Sequence, residues 1–155
     1  RRQRQMCIRD SKMNRDTLKK LLNTRTTNPT KKEAGLYEQL KRASLQYNKP
    51  IRLSRIENWM TLGLPDLLIC DDKHQFHFVE LKYVKFNAVN LSPQQISWIT
   101  LHKDASVWIL VKSTKGLHLY RADQAIELKE QGIKLEPHYF CPEPFDWQKT
   151  FDLIL

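Results

Sequence analysis

Two apolar runs joined by a short polar stretch occupy the middle of the chain. The first run covers residues 67–70, the polar stretch covers 71–74, and the second run covers 75–83. This pattern predicts two antiparallel strands connected by a turn. Phe76 and Phe78 fall on one face of the second strand, and Val79 and Leu81 fall on the other. Because both faces are apolar, we expect the second strand to be buried and central in its sheet.

Helical patterns lie on both sides of this hairpin. Thr30 and Glu33 form a capping-box pattern that opens a helix to about residue 47, and Ser92 with Gln95 opens another to about residue 103. The remaining predictions are a helix at 11–22, strands at 51–58, 105–111 and 117–120, a helix at 122–131, and an irregular surface tail after it. The order α-β-β-β-α-β predicts an α/β fold in which helices flank a small mixed sheet.

The 155 residues fit one domain, with a core at about residues 30–121 within a domain of 11–155. Three widely separated cysteines argue against a disulfide framework and favour a reducing, intracellular setting. We expect no membrane span and no signal peptide, because no apolar run approaches about 18 residues.

Positive charge is concentrated in the first third of the chain. Residues 1–55 contain 16 Lys and Arg against 4 Asp and Glu, whereas residues 56–155 contain 10 against 13. Such asymmetry favours a polyanionic partner, most commonly nucleic acid, although a merely solvated basic face is the alternative. We expect residues 1–10 to form a flexible basic arm. The candidate DNA contacts are Arg1, Arg2, Arg4, Lys41, Arg42 and Arg55.

Three charged residues are expected to converge at one edge of the predicted sheet. Asp66 precedes the first strand of the hairpin, and Glu80 and Lys82 lie near the end of the second. In an antiparallel pair, the start of one strand lies beside the end of the next. Two carboxylates in that position suit Mg²⁺, which takes one or two carboxylates and leaves its other positions to water and phosphate. The alternative is an acid that caps a strand beside an ordinary solvated ion pair.

Four short motifs carry a family resemblance. In chain order they are an early helical Glu, Gly63 to Asp66 (GLPD), Glu80 to Lys82 (ELK), and Leu91 to Gln95 (LSPQQ). This arrangement resembles the PD-(D/E)xK nuclease superfamily, and more closely its VRR-Nuc branch and related phage and archaeal Holliday-junction resolvases. The resemblance covers roughly residues 33–111 and implies a restriction-endonuclease-like core.

The resemblance implies a role for each matching residue. Asp66, Glu80 and the Leu81 carbonyl would be Mg²⁺ ligands, with Mn²⁺ a substitute, and Lys82 would orient or deprotonate the attacking water. Gln95 would contact that water or a phosphate, besides closing a capping box. Glu33 and Glu38 both qualify as the helical acid; we favour Glu38 because Glu33 already has a capping role.

The resulting expectation is a Mg²⁺-dependent endodeoxyribonuclease, homodimeric by the symmetry of its substrate, that cuts four-way junctions in recombination or repair. For a phage-encoded enzyme, the expected setting is the cytoplasm of the host cell. One alternative is a restriction-like, nicking or repair nuclease of the same superfamily. Another is a DNA-binding module that has lost catalysis. Zinc binding is not expected, because the histidines and cysteines lack the required spacing.

Overall fold

The computed structural model describes residues 31–56 and 62–155. Its helices are α1 (Lys31–Ser44), α2 (Pro93–Leu101), α3 (Ala125–Gln131) and α4 (Trp147–Ile154). Its strands are β1 (Arg52–Arg55), β2 (Leu67–Cys70), β3 (Phe76–Tyr83), β4 (Val107–Lys112), β5 (Leu117–Arg121) and β6 (Tyr139–Cys141). Single 3₁₀ turns at Ala122–Gln124 and Gly132–Lys134 flank α3.

The six strands form one mixed sheet whose spatial order follows the chain, β1 to β6. Neighbouring strands are antiparallel except β3 and β4, which are parallel. A parallel pair requires a crossover connection, and α2 provides it. The β2–β3 turn is closed by the Asp71 side chain, which accepts hydrogen bonds from the backbone N–H groups of Lys73 and Gln75 at 2.9 and 2.7 Å.

Two apolar cores lie on opposite faces of the sheet. Val79 and Leu81 of β3 belong to the core that contains Leu36 of α1 and Phe151 of α4. The opposite core contains Ile99 of α2 and residues of β4, β5 and α3, with Phe78 packed against it. The alternation along β3 therefore fills both cores, as expected for a strand with neighbours on each side and helices above and below.

The mixed α/β architecture with helices flanking the sheet is confirmed. Trp98 and Trp108 are partly buried, each packed against one of the two cores. The described cysteines, Cys70 and Cys141, are free. Within residues 31–56 and 62–155, no helix is both long and apolar enough to cross a membrane. The predicted arm at 1–10 and the predicted helix at 11–22 lie outside the described residues.

The C-terminal segment differs from the irregular surface chain that the prolines predicted. It adds β6 to the sheet edge and ends in α4, where Asp146 caps the helix by accepting from the Lys149 N–H. Phe151 and Ile154 are 0% and 2% exposed. They lie three positions apart on the apolar side of an amphipathic helix. The sequence-based prediction gave more weight to the prolines than to this helical spacing.

Candidate active site

Asp66 and Glu80 meet where β2 begins and β3 approaches its end. The register pairs Leu67 of β2 with Val79 of β3, so the residue before Leu67 lies beside the residues after Val79. The backbone N–H of Leu81 donates to Oδ2 of Asp66 at 3.0 Å. This contact holds Asp66 against β3, the strand that carries Glu80 and Lys82. These are the three residues that the sequence predicts at one edge of the sheet.

Glu80 is fully buried, with an exposed fraction of 0%. Its Oε1 atom lies 2.6 Å from the Lys82 ammonium and also accepts a hydrogen bond from Nε2 of Gln95. Its Oε2 atom is buried and has no hydrogen-bond partner among the residues that the structure describes. A buried carboxylate oxygen without a partner is costly, because it has lost its hydration without replacement. Glu80 therefore presents one satisfied oxygen and one oxygen suited to a cation.

The pKa values of both acids are raised, because the positive charge near them does not offset their burial. Burial raises the pKa of Glu80 to about 8; the Lys82 charge opposes this shift and the Asp66 charge adds to it. Burial also raises the pKa of Asp66, against the Lys82 charge and the Leu81 N–H. A cation placed between two such carboxylates would stabilise their charged forms.

Lys82 is held as an ammonium ion. Burial by itself lowers the pKa of Lys82, but the Glu80 charge, the hydrogen bond to Glu80 and the Asp66 charge outweigh burial and raise it. Only 8% of the residue is exposed. The lysine is therefore a fixed positive charge beside the acids, and a solvated surface pair, the alternative that the sequence left open, does not describe Glu80 and Lys82.

Gln95 connects the start of α2 to Glu80. Its backbone N–H donates to Oγ of Ser92 at 3.1 Å, and its side-chain Oε1 accepts from the Ser92 N–H at 3.0 Å, which completes the predicted capping box. The remaining end of the amide, Nε2, donates to Glu80. The capping role and the site role of Gln95 thus coexist, because each uses a different atom of one amide.

Gly63 brings the chain that precedes Asp66 against the same helix end. Its φ angle is +88°, a conformation that L-residues rarely adopt. A Cβ atom at this position would lie 2.2 Å from the Gln94 carbonyl oxygen and 2.9 Å from the Gln95 backbone nitrogen. Only glycine permits this approach, so Gly63 sets the spacing between the Asp66 segment and Gln95.

The structure places Glu33, and not Glu38, beside the candidate site. Glu33 lies three residues before Leu36 and seven before Leu40, both buried, whereas Glu38 lies two residues after Leu36 and is exposed. On a helix, the first spacing shares a face and the second reaches the opposite face. The Glu33 charge raises the pKa values of Asp66, Glu80 and Lys82. The placement therefore favours Glu33, the alternative that the sequence left open, over Glu38 as the helical acid near the site. The spacing to Leu36 and Leu40 was the available signal.

The basic residues predicted to contact DNA lie in different parts of the fold. Arg55 pairs with Leu67 across β1 and β2, and its charge lowers the pKa of Asp66, so it lies near the site. Lys41 and Arg42 are exposed in the last turn of α1, on the helix end away from Glu33. Arg1, Arg2 and Arg4 lie outside the described residues.

The carboxylates of the candidate site are of the kind and number that Mg²⁺ uses. Within residues 31–56 and 62–155, no cluster of three or more His, Cys, Asp or Glu side chains has metal-binding geometry. Mg²⁺ commonly uses only one or two carboxylates, so the Asp66–Glu80 pair meets its requirement without a third acid. The partnerless Oε2 of Glu80 is the specific feature that fits.

The histidines serve packing and turn geometry elsewhere. His77 lies at the opposite end of β3, where it contacts Asp71 at 3.3 Å and Ser106 at 2.7 Å. His118 contacts Oγ of Ser113 at 2.9 Å within the sheet.

Comparisons of the chain with protein-family models, with curated proteins and with solved structures found no match.

Proposed function

We propose that this chain is a Mg²⁺-dependent DNA endonuclease of the PD-(D/E)xK kind, which hydrolyses a phosphodiester by attack of water. The observation that carries the proposal is the buried, partnerless Oε2 of Glu80 beside Asp66 and Lys82, in the second half of a central strand. Ionisable groups whose pKa values are strongly shifted occur preferentially at functional sites.

The proposed role of each residue follows from its contacts. Asp66, Glu80 and the Leu81 carbonyl would hold Mg²⁺, which on binding would supply a hydroxide-like nucleophile and neutralise charge on the scissile phosphate. Lys82, a buried ammonium with a raised pKa, stabilises the negative charge that develops on phosphorus-bound oxygens. It is therefore a poor base in the cation-free protein. Gln95 orients Glu80 through its amide N–H, and Arg55 supplies a second positive charge near Asp66.

Branched DNA is the proposed substrate, and a homodimer is the proposed assembly. Both rest on the motif resemblance to junction resolvases, together with the basic first third of the chain. A two-fold symmetric junction suits two symmetry-related active sites. The phage-like origin and the role in recombination or repair belong to the same resemblance.

The decisive experiment offers the purified chain a mobile four-way junction, a flap, plain duplex and single-stranded DNA, each with Mg²⁺ and with EDTA. Asp66→Asn removes a proposed ligand charge, and Glu127→Gln, at an exposed acid of α3, is the matched control. We expect Mg²⁺-dependent paired nicks in the junction for wild type and Glu127→Gln, and none for Asp66→Asn. Equal cutting of all four substrates would refute junction selectivity while keeping the nuclease. If wild type and both variants bind the junction but none of them cuts it, the alternative of a DNA-binding module without catalysis would be favoured.

Metal binding is tested separately from cleavage. Calorimetric titration with Mn²⁺ should detect a site in wild type and Glu127→Gln that is lost or strongly weakened in Asp66→Asn and Glu80→Gln. Equal Mn²⁺ affinity in all four proteins would refute the assignment of Asp66 and Glu80 as ligands.

A further inference from the structure

Phe86 is an exposed aromatic residue close in sequence to the candidate active site. It follows Lys82 by four residues in the connection between β3 and α2, and 77% of it is exposed. The Lys85 ammonium lies 5.3 Å from the centre of its ring. An exposed aromatic ring paired with a cation offers a stacking surface and a phosphate partner side by side.

The connection that carries Phe86 is held in place at both of its ends. The Val84 N–H donates to the Lys112 carbonyl at 2.9 Å, which continues the β3–β4 ladder beyond the strand. Val84 and Val89 are buried, at 5% and 1% exposed, and Leu91 is buried at 1%. One buried anchor before Phe86 and two after it hold the connection in place, so the exposure of the ring follows from the fold.

Asn87 fixes the residue next to Phe86. Its Nδ2 donates to the Gln131 carbonyl at 2.8 Å, its carbonyl accepts from the Ile133 N–H at 2.9 Å, and its Oδ1 accepts from the Lys134 N–H at 3.1 Å. Gly132 has φ +64°, and a Cβ atom there would lie 2.1 Å from the Asn87 carbonyl oxygen. The tight packing of Asn87 on the end of α3 therefore orders the backbone beside the exposed ring.

Phe86 lies within reach of DNA bound at the candidate site. Four residues of chain span at most about 14 Å, which equals roughly four nucleotide rises of about 3.4 Å. The other end of the connection leads into Ser92, whose hydroxyl accepts from the Gln95 N–H, and the side-chain amide of Gln95 donates to Glu80. Both ends of the connection that carries Phe86 thus begin at residues of the site.

We propose that Phe86 stacks on a nucleobase near the scissile phosphate while Lys85 contacts the adjoining backbone, so that DNA with unstacked bases is preferred over continuous duplex. This inference rests on the proposed nuclease function. Stacking against an apolar side chain requires a base step to open, and opening costs least where a branch point has already interrupted the stack. The preference for branched DNA would then arise from a single ring held next to the cleavage position.

The test measures binding of full-length wild type, Phe86→Ala, Phe86→Trp and Phe76→Ala to a four-way junction and to duplex of equal length, in EDTA so that no cleavage occurs. Phe76 is the matched control, since it is an aromatic residue with 59% exposure at the opposite end of β3. We expect Phe86→Ala to weaken junction binding by roughly 5- to 150-fold, the range that loss of one stacked base produces. Duplex binding should change little, and Phe86→Trp and Phe76→Ala should behave as wild type.

Equal junction affinity of Phe86→Ala and wild type would overturn the inference, as would a loss shared equally by Phe76→Ala. A wild type that does not distinguish junction from duplex would overturn it too. Thermal melting of each variant checks the fold, which should be unchanged because both rings are exposed. Cleavage by wild type in Mg²⁺ separates the two proposals. If wild type cuts DNA but Phe86→Ala binds the junction as tightly as wild type does, only the proposal for Phe86 is refuted. If Phe86→Ala loses junction selectivity but wild type does not cut, only the nuclease proposal is refuted.

Discussion

Replacing Gly63 by alanine probes the contact that sets the geometry of the candidate site. The new Cβ would lie 2.2 Å from a backbone oxygen of Gln94, and its residue would have to hold φ at +88°. An L-residue in the left-handed region costs about 1–2 kcal/mol. Overpacking against a backbone that cannot rotate away costs about 1–3 kcal/mol.

The net loss of stability is smaller than the sum of these costs. Alanine restricts the unfolded chain and so returns about 0.4–1 kcal/mol. We therefore expect Gly63→Ala to lower the free energy of unfolding by about 3 kcal/mol, which moves a urea midpoint down by about 1.5 M for a slope of about 2 kcal/mol per M. Equilibrium unfolding followed by far-ultraviolet circular dichroism measures this shift.

Gly35→Ala is the matched control within the same chain. Gly35 lies inside α1, is exposed, and would place its Cβ in open space with nothing within 4 Å. Alanine in a helix interior is favoured over glycine by about 0.5–1 kcal/mol, so this variant should be more stable than wild type. A Gly63→Ala midpoint equal to or above that of wild type would refute the reasoning about the close approach to Gln94.

Three further predictions follow from buried contacts. Lys82→Met removes the ion-pair partner of the buried Glu80. Because the pKa of Glu80 is about 8 even beside Lys82, the acid then takes up a proton, and the loss of stability should be about 1–3 kcal/mol, the cost of a buried polar group without its partner. The double variant with Glu80→Gln should recover much of this loss in urea unfolding, and an additive loss would contradict the pairing. Ser92→Ala removes the acceptor of the Gln95 N–H and should cost about 1 kcal/mol, measured as a lowered melting temperature. Burial lowers the pKa of His118 below its ordinary value of 6.5, with the Lys115 charge acting in the same direction. The unfolded chain therefore binds this proton more tightly, so stability should fall as the pH drops through 6.5, and a His118→Gln protein that loses as much stability between pH 7 and pH 5 would exclude this cause.

Local patterns in the sequence were sufficient for most of the sheet and for the pair of acids. The polar turn at 71–74 between two apolar runs determines an antiparallel register, and that register alone brings Asp66 beside Glu80. The capping box of Ser92 and Gln95 is equally local, since its two hydrogen bonds join residues three positions apart. Periods of two and of 3.6 residues, together with turn and cap chemistry, are properties of a short segment, so they can be deduced without the rest of the chain.

The tertiary structure decided which residues complete the site. Glu33 rather than Glu38 faces the acids because the buried stripe of α1 fixes the rotation of that helix on the sheet, and only packing sets that rotation. The bond from Gln95 to Glu80 and the approach of Gly63 to Gln94 join segments separated by 15 and 31 positions in the chain. Contacts of this kind depend on how α2 crosses from β3 to β4, which no local period encodes. The sequence by itself thus determined the elements and the acid pair, whereas the closeness, burial and charge balance of the site came from the way those elements pack.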